Sequence, residues 1–271
     1  SNVISSSPIT ASAVASAIIS INPEGAESLA IAIAETTPSV SAAIVNVVVS
    51  SNPDIAIEIA TSMVAANPEA ASGAAAGITS SNPESAANVI NAMSLASPES
   101  AVLIASGVAQ GVTQNAINES NQSLAATNTE TLQTAIDEGA TPEQISELQT
   151  SLIGATQNAA DEAAQTAVAD ALLAMTDASP DSVNEILGGA AQVNSDAGLE
   201  FAQELITENP DGAIEMAAAV AQAAPSVAGT ITEAITETAP DLLVSAATAM
   251  VESNPTSAGS TAAAMAEYAP E

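Results

Sequence analysis

The chain has 271 residues, 32 of them Asp or Glu, and no Lys, Arg, His, Cys or Trp, for a formal net charge of −32. Nothing in it can neutralise phosphates, so nucleic acids and anionic bilayers are excluded as electrostatic partners. Disulfides, thiolate chemistry and the usual acid–base, nucleophilic and zinc-site side chains are excluded with the missing residue types.

In chain order, prolines stand 15 residues apart at Pro8, Pro23, Pro38, Pro53, Pro68, Pro83 and Pro98. The same step returns at Pro180, passes through Ser195, and continues at Pro210, Pro225, Pro240, Pro255 and Pro270; only Pro142 is outside it. A period this regular is one small unit copied many times, an array in place of a conventional globule.

Within a unit, with the proline (or Ser195) as position 1, position 11 is apolar in all thirteen copies, from Ile18 to Met265. Position 7 is apolar in all but the last, where Thr261 stands, and positions 4 and 8 are mostly Ala. Apolar residues at 4, 7, 8 and 11 form one stripe on a helix and none on a strand. The residue before the proline is usually Asn, Ser or Thr, and position 2 is Asp or Glu in nine units. That is a helix start: an N-cap, proline at the first helical position and an acid at the positive end of the dipole.

The period therefore predicts helices of about 11 residues, each roughly 17 Å long, with about three residues left for a tight turn. The alternation Ile55-Ala56-Ile57-Glu58-Ile59 and the run Val47-Val48-Val49 look strand-like alone, but align with the helical stripe of their siblings. One continuous helix kinked at each proline would cost about 3 kcal/mol at every kink. Helices this short do not persist alone in water, so stability must come from stacking. Ala at positions 4 and 8 predicts close approach between neighbours.

The middle of the chain differs. Thr113–Glu138 and Pro142–Asp177 are rich in Gln, Asn, Glu and Thr and hold no internal proline. Gly139 reads as a helix stop and Thr141-Pro142-Glu143 as a fresh start, which predicts two long helices in an antiparallel hairpin. Its apolar residues, Leu124, Leu132, Ile136, Ile145, Leu148 and Leu152, are sparse, so part of it is expected to project into solvent or meet another chain. The predicted fold is all-α: an α-solenoid of 15-residue single-helix repeats in antiparallel pairs, interrupted by a longer helical hairpin. The divisions are 1–112 (seven units), 113–179 (hairpin) and 180–271 (six units). In general form this resembles α-solenoid repeats.

With 47% apolar residues the chain is not a disordered acidic tail, although its core must be built mostly from Ala. No apolar run approaches the about 20 residues that a membrane-spanning helix needs. The start at Ser1, without Met or a basic segment, leads us to expect a processed, exported protein. Absence of every Lys and Arg removes all sites for trypsin-like proteases and points the same way.

No catalytic, cofactor or dedicated metal residues are expected, and we read the chain as a non-enzyme. The adjacent pairs Asp137-Glu138 and Asp161-Glu162 point about 100° apart on a helix, so they read as solvated surface; weak Ca²⁺ or Mg²⁺ bridging between carboxylates of neighbouring units or subunits is the ionic partner expected. Asn118-Glu119-Ser120 and Asn121-Gln122-Ser123 match the glycosylation acceptor pattern, which arises easily in an Asn/Ser-rich segment. Phe201 and Tyr268 read as packing residues.

The first unit keeps Val14, Ala15, Ile18 and Ile19 on its stripe and looks uncapped, whereas the last carries Gly259, Ser260 and Thr261. Uncapped array ends favour head-to-tail association. The expected function is an exported structural protein that polymerises with itself into an extracellular filament, sheath or surface layer. The alternative is a soluble acidic scaffold that binds a peptide, a glycan or divalent cations.

Overall fold

The computed structural model describes residues 26–36, 38–51 and 55–268; the first unit, with Val14, Ala15, Ile18 and Ile19, and the residues from 269 on lie outside the described residues. Among the described residues there are thirteen α-helices and no strand. Five precede the long hairpin: α1 (Ala26–Thr36), α2 (Ser41–Ser51), α3 (Ala56–Ala66), α4 (Ala71–Thr79) and α5 (Ala86–Ala96). The hairpin is α6 (Ala101–Asp137) and α7 (Pro142–Ala178). Six follow: α8 (Val183–Val193), α9 (Ser195–Glu208), α10 (Ala213–Ala223), α11 (Ala228–Thr238), α12 (Leu243–Ser253) and α13 (Ala258–Tyr268). The strand-like stretch at 47–49 falls in α2 and that at 55–59 falls in α3 but for Ile55, which lies in the 3₁₀ turn before it, as their alignment predicts.

The connection is tighter than expected. Pro68 opens a 3₁₀ turn, Pro68–Ala70, and α3 ends at Ala66, so Asn67 alone separates the two helices. One residue suffices because both its backbone groups are satisfied. The Asn67 N–H donates back to the Met63 carbonyl (2.9 Å), and the Asn67 carbonyl accepts from the Ala70 N–H (3.0 Å). The same pair of bonds recurs at Ser97, Asn209, Ala224, Ala239 and Asn254. The carbonyl that receives the first bond always belongs to position 11, so the residue that fills the core also ends its own helix. The three residues assigned to a loop are thus mostly the opening 3₁₀ turn.

Capping is partly as expected. The side chains of Asn67, Asn194, Asn209 and Asn254 accept a backbone N–H of the following turn at 3.0–3.2 Å. Asn82, Ser97 and Ser179 make no such bond. At Ser97 the hydroxyl instead donates to Glu99 at 2.9 Å. The Glu99 carboxylate also accepts from its own backbone N–H; these bonds, backbone first, hold its carboxyl below the ordinary carboxylate value.

Each helix packs on the helix two places before it: α3 on α1, α4 on α2, α5 on α3, α6 on α4, and so on to α13 on α11. The result is two columns side by side, with one helix of each layer in each column. The stripe lies between them: Ile44, Ile59, Val89, Ile104, Ile186, Phe201 and Ile231 at position 7 are all buried, as are Met63, Met93, Val220, Ile235 and Met250 at position 11. Burying one such side chain contributes about 1.5–3 kcal/mol, which is how helices too short to stand alone persist.

Position 3 is buried as well, at Val40, Ala70, Ser85, Ser100, Val227 and Ser257, a position the helical stripe does not include. Ala197, in the unit that opens as a plain α-helix, is buried at the same position, so the neighbouring helices cover position 3 whatever the winding of the first turn. The Ser85 and Ser257 hydroxyls are satisfied by the carbonyl of their own linking residue, at 2.6 and 2.8 Å.

The hairpin does not interrupt the columns. The long helix expected over 113–138 begins at Ala101, inside the unit opened by Pro98; α6 packs against α4 and α8, and α7 against α5 and α9. The register also carries through. Position 10 of a helix lies on position 5 of the helix below it: Gly77 on Ala42, Gly107 on Ser72, and, across the hairpin, Gly189 on Val102. At Gly107 an added Cβ would run into the Ser72 backbone, so the small residue permits the approach. Between residues 117 and 159 no residue is buried, and this part of the hairpin extends about 30 Å from the stack. Its turn follows the predicted chemistry: Gly139 has φ 84°, and Thr141 and Gln144 form a reciprocal capping box.

Candidate functional site

The chain has no cation to pair with its carboxylates, so neutral donors link one layer to the next. The Ser62 hydroxyl donates to Glu27 (2.8 Å), the Gln165 amide to Glu200 (3.0 Å) and the Gln203 amide to Glu237. Such bonds do the bridging work of salt bridges without relying on opposite charge.

The residues singled out in the sequence do not converge. Asp137, Glu138, Asp161 and Glu162 are exposed, and among the described residues no three acidic side chains gather to hold a metal ion. Asn118 and Asn121 lie on an exposed face of α6, and the Asn118 carbonyl accepts from the Gln114 amide at 3.1 Å. Phe201 is core, packed among the stripe residues of the neighbouring helices. The side chain of Tyr268 is outside the described residues. The hairpin leucines Leu124, Leu132, Leu148 and Leu152, with Ile145, are half-buried, whereas Ile136 is 52% and Ile153 60% exposed.

One concave surface stands out, at the place where the hairpin leaves the columns. α6 and α7 run on past the N-terminus of α5, and an open cleft of ≈ 860 Å³ lies beside it, with Pro83 and Glu84 among its lining. Its floor is Val112, Ala116, Ala159, Ala163, Ala167, Ala171 and Ala174. On α7 the rim is Glu162, Thr166 and Asp170, at i, i+4 and i+8, which places them in one row along the helix. On α6 the rim is Glu119, Ser120 and Ser123. Four carboxylates thus surround an alanine floor, with no basic residue anywhere in the chain to neutralise them.

Sequence reasoning missed this surface because its walls come from three segments. A partial signal was present: Ala159, Ala163, Ala167 and Ala171 recur every fourth residue beside Glu162, Thr166 and Asp170. Only the placement of α5 shows that this face lines a cleft. No protein-family model, curated protein or solved structure matches the chain. Among the described residues, no helix is long and apolar enough to cross a membrane.

Proposed function

We propose that this chain is a non-enzymatic structural protein that associates with copies of itself by adding layers to its columns, forming an exported filament, sheath or surface layer. The observation that carries the reading is Val244. It is position 5 of α12, the place held in α2, α4 and α6 by Ala42, Ser72 and Val102, each covered by a glycine of the next helix in the column. No described helix covers Val244, which is 69% exposed. Val244 is thus an exposed apolar side chain at a position that the next helix of the column covers in α2, α4 and α6.

Two features of the composition support an extracellular setting and a non-catalytic role: no peptide bond for trypsin-like proteases, and no His, Lys, Arg or Cys for acid–base or covalent chemistry. Charge controls the association in this reading. Subunits of net charge −32 repel one another at neutral pH and low salt. Acid, or millimolar Ca²⁺ or Mg²⁺ bridging carboxylates of adjoining subunits, strengthens assembly.

Light scattering and negative-stain microscopy from about pH 3 to about pH 8, with and without millimolar Ca²⁺, test this. Expected are elongated particles that grow as pH falls or Ca²⁺ rises, and that are lost in Val244→Asp while the thermal unfolding of that variant stays unchanged. A monodisperse monomer under every condition refutes the reading. A second reading, a binding scaffold, is favoured by the cleft beside α5.

A further inference from the structure

We infer that Met216 is an oxidation-sensitive switch: a hydroperoxide converts it to the sulfoxide at an opening in the core between the α8–α9 and α10–α11 layers, and the oxidised side chain loosens that joint. Polymerisation has no part in this, because Met216 lies within the stack and not at its α12–α13 end.

Met216 is position 7 of its unit, the place that Ile186, Phe201 and Ile231 fill in the neighbouring units, where all three are buried. Met216 itself is only half-buried. Two other stripe residues beside it share that state: Val183 at position 4 of α8 and Leu205 at position 11 of α9. All three line one cleft of ≈ 240 Å³. The helix spacing explains the opening. A Cβ added at Gly188 of α8 would stand 2.9 Å from the Ala224 Cβ, just beyond the C-terminal end of α10. The cleft instead meets Gly212, Ala213 and Met216, at the other end of α10. The two helices therefore touch at one end and part at the other, and solvent reaches the stripe through the gap.

With no Cys, His or Trp in the chain, its six methionines are the side chains that a mild oxidant attacks. Met63, Met93, Met175 and Met250 are each 0% exposed, and Met265 is half-buried in α13. Met216 is thus the accessible thioether inside the stack. In the step itself, one oxygen of the peroxide bonds to the Met216 Sδ as the O–O bond breaks. The sulfur loses two electrons, and the departing oxygen keeps both protons and leaves as water. The sulfoxide oxygen is a strong acceptor, and burying it among apolar side chains without a donor is costly. The amides of Asn184 and Asn209 and the solvent lie on the cleft side, so the oxidised side chain turns that way and leaves the stripe. Each layer is held chiefly by its neighbours, so one loosened joint weakens the whole array. A methionine sulfoxide reductase reverses the change.

The test treats the full chain with hydrogen peroxide, digests samples with a glutamate-specific protease and follows each methionine by mass spectrometry, with thermal unfolding read by circular dichroism. Expected is oxygen uptake at Met216 about tenfold faster than at Met63, Met93, Met175 and Met250, with the unfolding midpoint falling by several degrees as Met216 reacts. Methionine sulfoxide reductases should restore the midpoint. Met216→Leu, which conserves volume, should hold its midpoint through the same treatment, whereas Met265→Leu should still lose stability. The site-by-site rates are read on the unaltered chain and need no variant to fold. Oxidation of Met216 no faster than of the four buried methionines, an unchanged midpoint once it carries oxygen, or an equal loss in Met216→Leu would each overturn the inference.

Discussion

At two places the 15-residue step arrives without a proline. Val112-Thr113 stands where the unit opened by Pro98 should end, and Asn194-Ser195 where the unit opened by Pro180 does end. The helix runs straight through the first and breaks at the second. At Asn194 the side chain accepts the Ala197 N–H at 3.1 Å and so opens a new helix, whereas Val112 has no such acceptor and is 2% exposed inside α6. Ala224 and Ala239 complete the comparison, since they have no capping side chain but are followed by Pro225 and Pro240, and the helix breaks at both. A capping Asn or a proline is therefore sufficient to end a unit, and Val112-Thr113 has neither. The long hairpin exists because one pair of residues carries no stop.

The opening turn sharpens the point. After Asn194 the first bond runs from the Gly198 N–H to the Asn194 carbonyl, four residues back, and α9 is α-helical from Ser195. In the proline-opened units of the columns the corresponding bond spans three residues and the first turn is 3₁₀. Pro142, which follows Thr141 and a free-standing turn, also starts an α-helix directly, with the Ile145 N–H bonded to the Thr141 carbonyl. Three residues separate Pro83 from the end of α4 and it still opens a 3₁₀ turn, so among the described residues every proline of the columns starts 3₁₀ and only Pro142, at the hairpin turn, starts an α-helix directly.

The largest effect expected from this comparison is at Thr113. Thr113→Pro removes a backbone donor and crowds the preceding turn in mid-helix, and should cost about 3 kcal/mol or more in denaturant unfolding. The buried Thr113 hydroxyl has no hydrogen-bond partner, so its loss adds nothing to that cost. Unchanged stability would mean that α6 tolerates a break at the ruler position. Next comes Gly107→Ala, which sets a methyl against the Ser72 backbone and should lower stability by about 1–3 kcal/mol. A neutral result would show that α4 and α6 are not held in close contact.

Asn194→Ala should cost about 1 kcal/mol by removing the cap at the one proline-free break among the described residues. Ser195→Pro should instead stabilise by about 0.5–1 kcal/mol, because position N1 needs no N–H and the linking residue is already extended. Thermal unfolding of the two variants, singly and together, reads whether cap and proline substitute for each other. The smallest effect is at Ser97. Ser97→Ala should raise the Glu99 pKa toward the ordinary value, measurable by NMR titration. Because the folded pKa is depressed, the stability linked to Glu99 is present at neutral pH and fades as pH falls through the folded value.

Much of the fold was legible before any coordinates. Each described proline on the ruler starts a helical turn, and the residues at positions 7 and 11 are the core, because a helix that must bury one stripe repeats its apolar residues at that spacing. What escaped was set by neighbours. Val40, Ala70 and Val227 at position 3 are core because neighbouring helices cover them, whether the opening turn is 3₁₀ or, as at Ala197, α-helical. The start of α6 at Ala101 escaped for a different reason: 113–138 was read as a separate element on composition, although Val112-Thr113 contains no signal that ends a helix. The cleft beside α5 was the least legible feature, since Glu84, Glu119 and Glu162 become neighbours only when α5 stops short beneath two longer helices.

The chain's own order of residues determined where helices begin, which face of each is apolar and that no cation would be present, because these depend on local backbone chemistry and composition. Only the tertiary structure decided that each helix rests on the one two places back, that most described links within the columns are a single residue, and that the hairpin is a lengthened layer within the same columns. Those outcomes depend on which surfaces approach closely enough to exclude water. Small residues such as Gly77, Gly107 and Gly189 permit that approach, but their partners lie on another helix, dozens of residues away.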